Sequence, residues 1–300
     1  SSTMSSTSSD GGIDFALYRY TPSIPAAAIF AGIFLILSIL HLVRLIQNRT
    51  YFFIPFIVGL LFECAGYIAR IFSHFDTMAL GPYIVQTMLI LVAPPLFAAS
   101  IYMTLGRIVV NLGAEDQSIV PVRFLTKIFV IGDVISFLLQ CGGGGYMAAG
   151  STSAMNTGAN IVVGGLVVQL LFFGFFVIVS AVFHWRLRKQ PRYIHVSSAQ
   201  SNGPETRMTW EAVMWVLYIA CLLILVRSVF RVVEFVEGNN GFIMRREYLL
   251  YIFDACLMSL TGIVLIIVYP GCFIAQGRKR DSELQLVATE EGSVHRGPLP

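Results

Sequence analysis

An all-α, polytopic membrane protein built as a seven-transmembrane helix bundle is the fold this sequence predicts. Three observations point to it: a charge-poor composition, seven apolar windows of spanning length, and Lys and Arg gathered on one side of those windows. Of the 300 residues, 56% are hydrophobic and 12% are charged, where a soluble domain carries about 25% charged residues. The net charge of +3 matters less than its placement.

A span needs about 20 predominantly apolar residues. Seven windows satisfy this, at residues 22–46, 51–72, 81–110, 122–140, 158–185, 209–234 and 248–274, and no window between them holds an eighth. Basic residues set the orientation, because they concentrate in cytoplasmic loops. Arg44 and Arg49 flank the first loop, Arg107, Arg123 and Lys127 the third. Arg186, Arg188, Lys189, Arg192 and Arg207 fill the fifth, and Arg278, Lys279 and Arg280 follow the last span. The opposite side carries fewer. The amino terminus is therefore expected outside and the carboxyl terminus in the cytosol.

The chain divides into three regions: a disordered extracellular tail at 1–17, a membrane domain at 18–276 and a disordered cytosolic tail at 277–300. The first tail is rich in Ser, Thr and Gly and does not read as a cleavable signal peptide. The sequon Asn48-Arg49-Thr50 falls on the cytosolic side and is expected to stay unmodified. Tyr18, Tyr20, Trp185, Trp210, Tyr248 and Tyr269 stand at span ends, where interfacial aromatic anchors sit. The stretch CGGGGYMAAGSTSAMNTG after the fourth span reads as an uncharged, flexible outer loop, or as a lid over a pocket. Pro94 and Pro95 remove two backbone donors and are expected to kink or break the third helix. Gly59, Gly66, Gly164, Gly165, Gly174 and Gly262 would let helices approach closely.

The candidate functional residues are ionisable groups inside the spans. A charge at the centre of a membrane helix costs roughly 2.5–3.5 kcal/mol on insertion scales, so it must face a partner, a wet cavity or a ligand. Arg227, Arg231 and Glu234 share one helical face by their i, i+4, i+7 spacing. Glu247, Tyr251 and Asp254 repeat that spacing on the last helix. Glu63 and Arg70 are a heptad apart on the second helix, as are Asp133 and Gln140 on the fourth; Gln86 lies on the third. Most of these groups are expected between the midplane and the outer surface. There, three arginines against five carboxylates leave a net −2, which suits an amine-bearing ligand. The competing reading is a set of structural pairs, such as Glu63 with Arg70 and Arg231 with Glu234 or Asp254.

Several chemistries are missing. The five histidines are scattered, with no pair at metal-ligand spacing. There is no GxxxxGK[ST] phosphate cradle and no GxSxG elbow. No enzymatic activity, cofactor, metal or nucleic-acid partner is expected.

Taken in order, several motifs also carry a family resemblance. They are YTPS at 20–23, ECAGYIAR at 63–70, LVAPPLFAASIYMTLGRI at 91–108, FVIGDVISFLLQCGGGG at 129–145, RSVFRVVEFVEG at 227–238 and EYLLYIFDACLM at 247–258. With them the chain resembles the fungal RTA-like family of lipid-translocating exporters over about residues 18–271. The resemblance implies a multi-pass plasma-membrane protein that moves lipids or amphiphiles. Its members are linked to sphingoid long-chain bases, to stress and drug resistance against toxic amphiphiles, and in one branch to porphyrin or haem transport. Residues and resemblance together predict a translocator of sphingoid bases or similar amine-bearing amphiphiles. Glu63, Arg70, Gln86, Asp133, Gln140, Arg227, Arg231, Glu234, Glu247 and Asp254 would line its pocket. Phe172, Phe173, Phe175 and Phe176 read first as lipid-facing or core residues, and in the transport reading would flank the lipid tail. The expected partners are membrane lipids and an amphiphilic small molecule, with self-association into a homo-oligomer an option. A seven-span lipid-sensing receptor is the alternative class, and a porphyrin transporter the alternative cargo.

Overall fold

The computed structural model describes residues 23–75, 80–147, 152–190, 209–237 and 246–274. Both tails, the basic stretch 191–208 and the turn holding Gly238 and Gly241 lie outside the described residues, so expectations placed on them go no further. Among the described residues there is no strand, and seven helices are long and apolar enough to cross a membrane.

The helices are α1 (Ile24–Asn48), α2 (Ile54–Phe75), α3 (Leu80–Asn111), α4 (Val122–Met147), α5 (Thr152–Arg188) and α6 (Trp210–Glu237). The seventh, α7, begins as Glu247–Leu250, passes through a π-helical turn at Tyr251–Cys256 and continues as Leu257–Ile267. Pro25 occupies the first turn of α1, where its missing N–H leaves nothing unsatisfied. Arg49, at a left-handed φ of 50°, caps the other end and donates its N–H to the Ile46 carbonyl. A single 3-10 turn at Tyr51–Phe53 then leads directly into α2.

Helix α2 packs on α1 and α3, α4 chiefly on α5, and α7 on α6 and α1. One end of the bundle is marked by Ser23, Arg70 and Glu247, which meet there. The other is marked by Thr50 and Tyr269, whose hydroxyls lie 2.6 Å apart. Helices α1 and α2 therefore run in opposite directions, and α7 runs the same way as α1. Ile36, Ile131, Leu138, Leu171, Ile178, Leu222 and Ile267 are among many large aliphatic side chains left exposed, the outward face a bilayer requires.

Four local expectations are corrected. The glycine quartet is not a loop: α4 runs through Gly142–Gly145 to Met147, and α5 begins at Thr152. The reason is backbone contact between the two helices. A Cβ on Gly143 would come within 2.7 Å of the Gly158 carbonyl oxygen, and one on Gly158 within 2.6 Å of the Gly143 oxygen. Only two glycines allow that crossing.

The prolines do not break α3, which continues through Pro94 and Pro95. Gly164 and Gly174 do not serve close packing, since a Cβ at either meets nothing within 4 Å. Of the anchor candidates, Trp185 and Tyr248 are exposed at helix ends, but Trp210 and Tyr269 are buried. Trp210 packs edge-on against His184, and the Tyr269 hydroxyl bonds Thr50.

Candidate functional site

The densest polar region joins α2, α6 and α7 in the half of the bundle nearer the Ser23 end. Its centre is Asp254, fully buried inside the π-helical turn of α7. Arg227 Nε donates to Asp254 Oδ1 at 2.5 Å, and Arg231 Nη2 donates to Oδ2 of the same carboxylate. Arg231 Nη1 also donates to Glu234 Oε2 at 2.9 Å. The one-face spacing of Arg227, Arg231 and Glu234 makes this possible: the two arginines present their heads to a single residue on α7, and Glu234, on the next rung, meets Arg231. A π turn adds one residue to a helical turn and re-aims the side chains beyond it, and such turns are frequent at functional sites.

Arg227 has a second duty. Its Nη2 donates to the backbone oxygen of Ile90 at 2.7 Å. Residue 94, whose N–H would normally bond the Ile90 carbonyl, is a proline and has none. The guanidinium supplies the missing donor and ties α3 to α6. That explains how α3 tolerates an interior proline without breaking.

A second pair sits toward the Ser23 end. Arg70 Nη2 donates to Glu247 Oε1 at 3.1 Å, Arg70 Nε to the Tyr251 hydroxyl at 3.1 Å, and the Ser23 backbone N–H to Glu247 Oε1 at 2.8 Å. Arg70 therefore pairs with Glu247, not with Glu63. Glu247 occupies the first turn of α7, where the helix dipole favours a negative charge. The Arg231 pairings with Glu234 and Asp254 are both present.

Glu63 stands apart. It is 0% exposed, and neither carboxyl oxygen has a hydrogen-bond partner. It lies within electrostatic reach of Asp254, Arg227 and Arg231. One turn further along α2 the Tyr67 hydroxyl is also buried and unpartnered. Gln86 is buried on α3, where its backbone oxygen lies opposite Gly66 of α2.

The remaining candidates do not join this cluster. Gln140 Nε2 donates to Ser136 Oγ at 2.9 Å and to Gln169 Oε1 at 3.0 Å, and Ser136 Oγ donates to the Gly165 carbonyl at 2.6 Å. These bonds tie α4 to α5. Asp133 is buried on α4, with both oxygens outside hydrogen-bond geometry and Tyr102 of α3 beside it. Rings of Phe129, Phe173 and Phe176 surround Tyr102 at centroid distances of 5.3, 6.2 and 4.4 Å. Phe173 and Phe176 are thus core, while Phe175 is exposed.

Sequence reasoning missed three participants: the Ile90 carbonyl, Tyr67 and the Ser23 N–H. Pro94 was the available signal for the first. Tyr67 falls one turn from Glu63, but a tyrosine inside ECAGYIAR carries no mark of being unpartnered.

The model of RTA1 like protein matches residues 56–277, which takes in every side chain of these clusters but not Ser23. The chain belongs to the RTA1-like family. It is similar to Protein RTA1 of Saccharomyces cerevisiae, 35% identical over 93% of this chain and 92% of the relative. Protoporphyrin uptake protein 1 of the same yeast is 35% identical over 82% of this chain and 89% of its own. Sphingoid long-chain base transporter RSB1 of that yeast is 25% identical over 81% of this chain and 70% of its own. No solved structure matches.

Proposed function

We propose that this protein is a plasma-membrane translocator of amphiphilic lipids bearing an amine, of the sphingoid long-chain base type. The single observation that supports it best is the cluster of ionisable groups from α2, α6 and α7, buried in one half of a seven-span bundle. Ionisable groups at such depth are expensive and mark ligand or ion pathways in membrane proteins. The basic loops support an orientation with the amino terminus outside and the cluster in the outer half. A relative named for sphingoid base transport agrees with that cargo. Relatives named for transport or uptake favour transport over catalysis on the lipid.

In this reading the arginines do not hold the cargo alone. Glu234, Glu247 and Asp254 are each engaged by an arginine, so an entering ammonium group must either compete for one of these carboxylates or use Glu63. Hydroxyls of the cargo would take guanidinium donors released by that exchange.

The test is export of labelled sphinganine from cells carrying Glu234→Gln or Asp254→Asn at matched surface level. Both variants are expected to lose export; wild-type export by both and by Glu63→Gln would sink the reading. Liposome reconstitution separates it from a lipid-sensing receptor, which binds lipid without moving it.

A second cargo is favoured by one observation: the relative named for protoporphyrin uptake is the more similar of the two transport-named proteins. A porphyrin carries carboxylates, which Arg70, Arg227 and Arg231 could bind bidentately. Uptake of fluorescent protoporphyrin by the same cells decides between them.

A further inference from the structure

Charge matching inside the cluster isolates one group. Arg227 and Arg231 are matched by Asp254 and Glu234, and Arg70 by Glu247. Glu63 is the fourth carboxyl beside three guanidinium groups, so in these ion pairs no cation remains for it. Both its oxygens and the Tyr67 hydroxyl, one helical turn away, are buried without partners. A buried carboxyl without a hydrogen-bond partner is either neutralised by a proton or has its charge balanced by a cation brought to it. Asp254 is the nearest competing acid, and it is closed by two arginines.

From this geometry we infer that Glu63 and Tyr67 form an exchange subsite, at which the ammonium group of a lipid amine displaces a proton. The inference deepens the amine-transport reading and rests on it. In the step, the Glu63 carboxylic acid releases its proton to water on the side to which the site opens, and the carboxylate accepts hydrogen bonds from the incoming R–NH3+. Tyr67 supplies an uncharged oxygen as a further acceptor for that ammonium. Charge at the site is unchanged: one positive charge enters and one leaves. Neither ion pair need open, which distinguishes this subsite from one built on Asp254.

The surroundings fit that role. The charged and titratable groups facing Glu63 are Tyr67 on its own helix, Arg227 and Arg231 from α6, and Asp254 from α7. From α1, Phe30 and Phe34 lie against the Tyr67 ring at 5.9 and 5.7 Å. From α3, Ile90 and the Gln86 backbone meet Gly66. His41 and Arg107, on α1 and α3, lie near the opposite end beside Phe56 and Phe52. Phe30, Phe34 and Tyr67 thus pack together one helical turn from the Glu63 carboxyl, and aromatic faces attract an alkylammonium head through the ring quadrupole.

The experiment is calorimetric titration of the purified full-length protein in nanodiscs with sphinganine, in two buffers of different ionisation enthalpy. N-acetylsphinganine, uncharged, is the control. The range is about pH 5.5–7.5, where an alkylamine with a pKa near that of Lys, about 10, stays charged. The wild type is expected to release about one proton per sphinganine bound at the acid end, with affinity falling roughly tenfold per pH unit there. The sign comes from competition: only the deprotonated carboxyl takes the ammonium, so acid weakens binding. Glu63→Gln is expected to lose the released proton and the pH dependence, and Glu63→Asp to keep both.

Sphinganine binding to the wild type without proton release overturns the exchange subsite and leaves amine transport standing. Release that persists in Glu63→Gln and vanishes in Asp133→Asn assigns the proton to the other unpartnered carboxyl and also overturns it. Failure of the wild type to bind sphinganine at all defeats both readings. Because the first measurement uses the wild type, a variant that does not fold leaves the test decisive.

Discussion

Burial has opposite consequences for the acidic side chains of this protein, depending on what each one touches. Asp254 holds two arginines, so Asp254→Asn leaves two buried cations short of a partner. Breaking a buried pair costs about 3–5 kcal/mol, and a marked drop in melting temperature by fluorescence-detected size exclusion is expected. Glu63 has no hydrogen bond to lose, so Glu63→Gln is expected to change stability by less than about 1 kcal/mol in the same measurement. Equal destabilisation by the two would mean that Glu63 is held by a partner after all. The i, i+4, i+7 spacing of Arg227, Arg231 and Glu234 already places them on one face. What spacing could not specify was pairing: Arg70 reaches Glu247 on another helix instead of Glu63 on its own. Choosing between partners needs the distance between helices, which no local pattern carries.

At the level of helices, small residues and prolines act through backbone groups. Gly143 and Gly158 lie against each other's carbonyl oxygens, so Gly143→Leu is expected to push α4 from α5 and cost about 1–3 kcal/mol by overpacking. Gly142 and Gly145 meet nothing within 4 Å. Alanine at either is expected to stabilise α4 by about 0.5–1 kcal/mol, since glycine in a helix interior is the more costly residue. Thermal unfolding of the two classes should therefore shift in opposite directions. In α3, Pro94→Ala supplies an N–H to the Ile90 carbonyl and displaces Arg227 from it. Hydrogen exchange should find the new amide at position 94 protected. In the sequence four consecutive glycines look like a flexible loop, because isolated-chain propensity counts only conformational freedom. Among closely packed helices the same absence of a side chain permits backbone approach, and that contact outweighs propensity.

For the whole molecule, the proposed orientation makes a direct prediction. An epitope tag at the amino terminus should be labelled on intact cells, and one at the carboxyl terminus only after permeabilisation. The reverse pattern would place the ionic cluster in the inner half and remove the support for outward delivery of an amine. The aliphatic belt over the bundle also sets its solvent: exposed Ile, Leu and Val from every helix require lipid or detergent around the protein.

The sequence alone determined the class and the span count. Both come from composition and from the length of apolar windows, properties that add up residue by residue and need no partner. It also determined which faces of α2, α6 and α7 carry charge, because helical periodicity is local. Tertiary structure decided how those charges were matched: Asp254 takes two arginines, Pro94 leaves a carbonyl for Arg227, and Glu63 is left without a partner; it also turned one glycine of the quartet, Gly143, into a contact with Gly158. Pairing among three arginines and several acids depends on helix packing and on a π turn in α7. These are long-range properties, set by the bundle as a whole and not by any one of its segments.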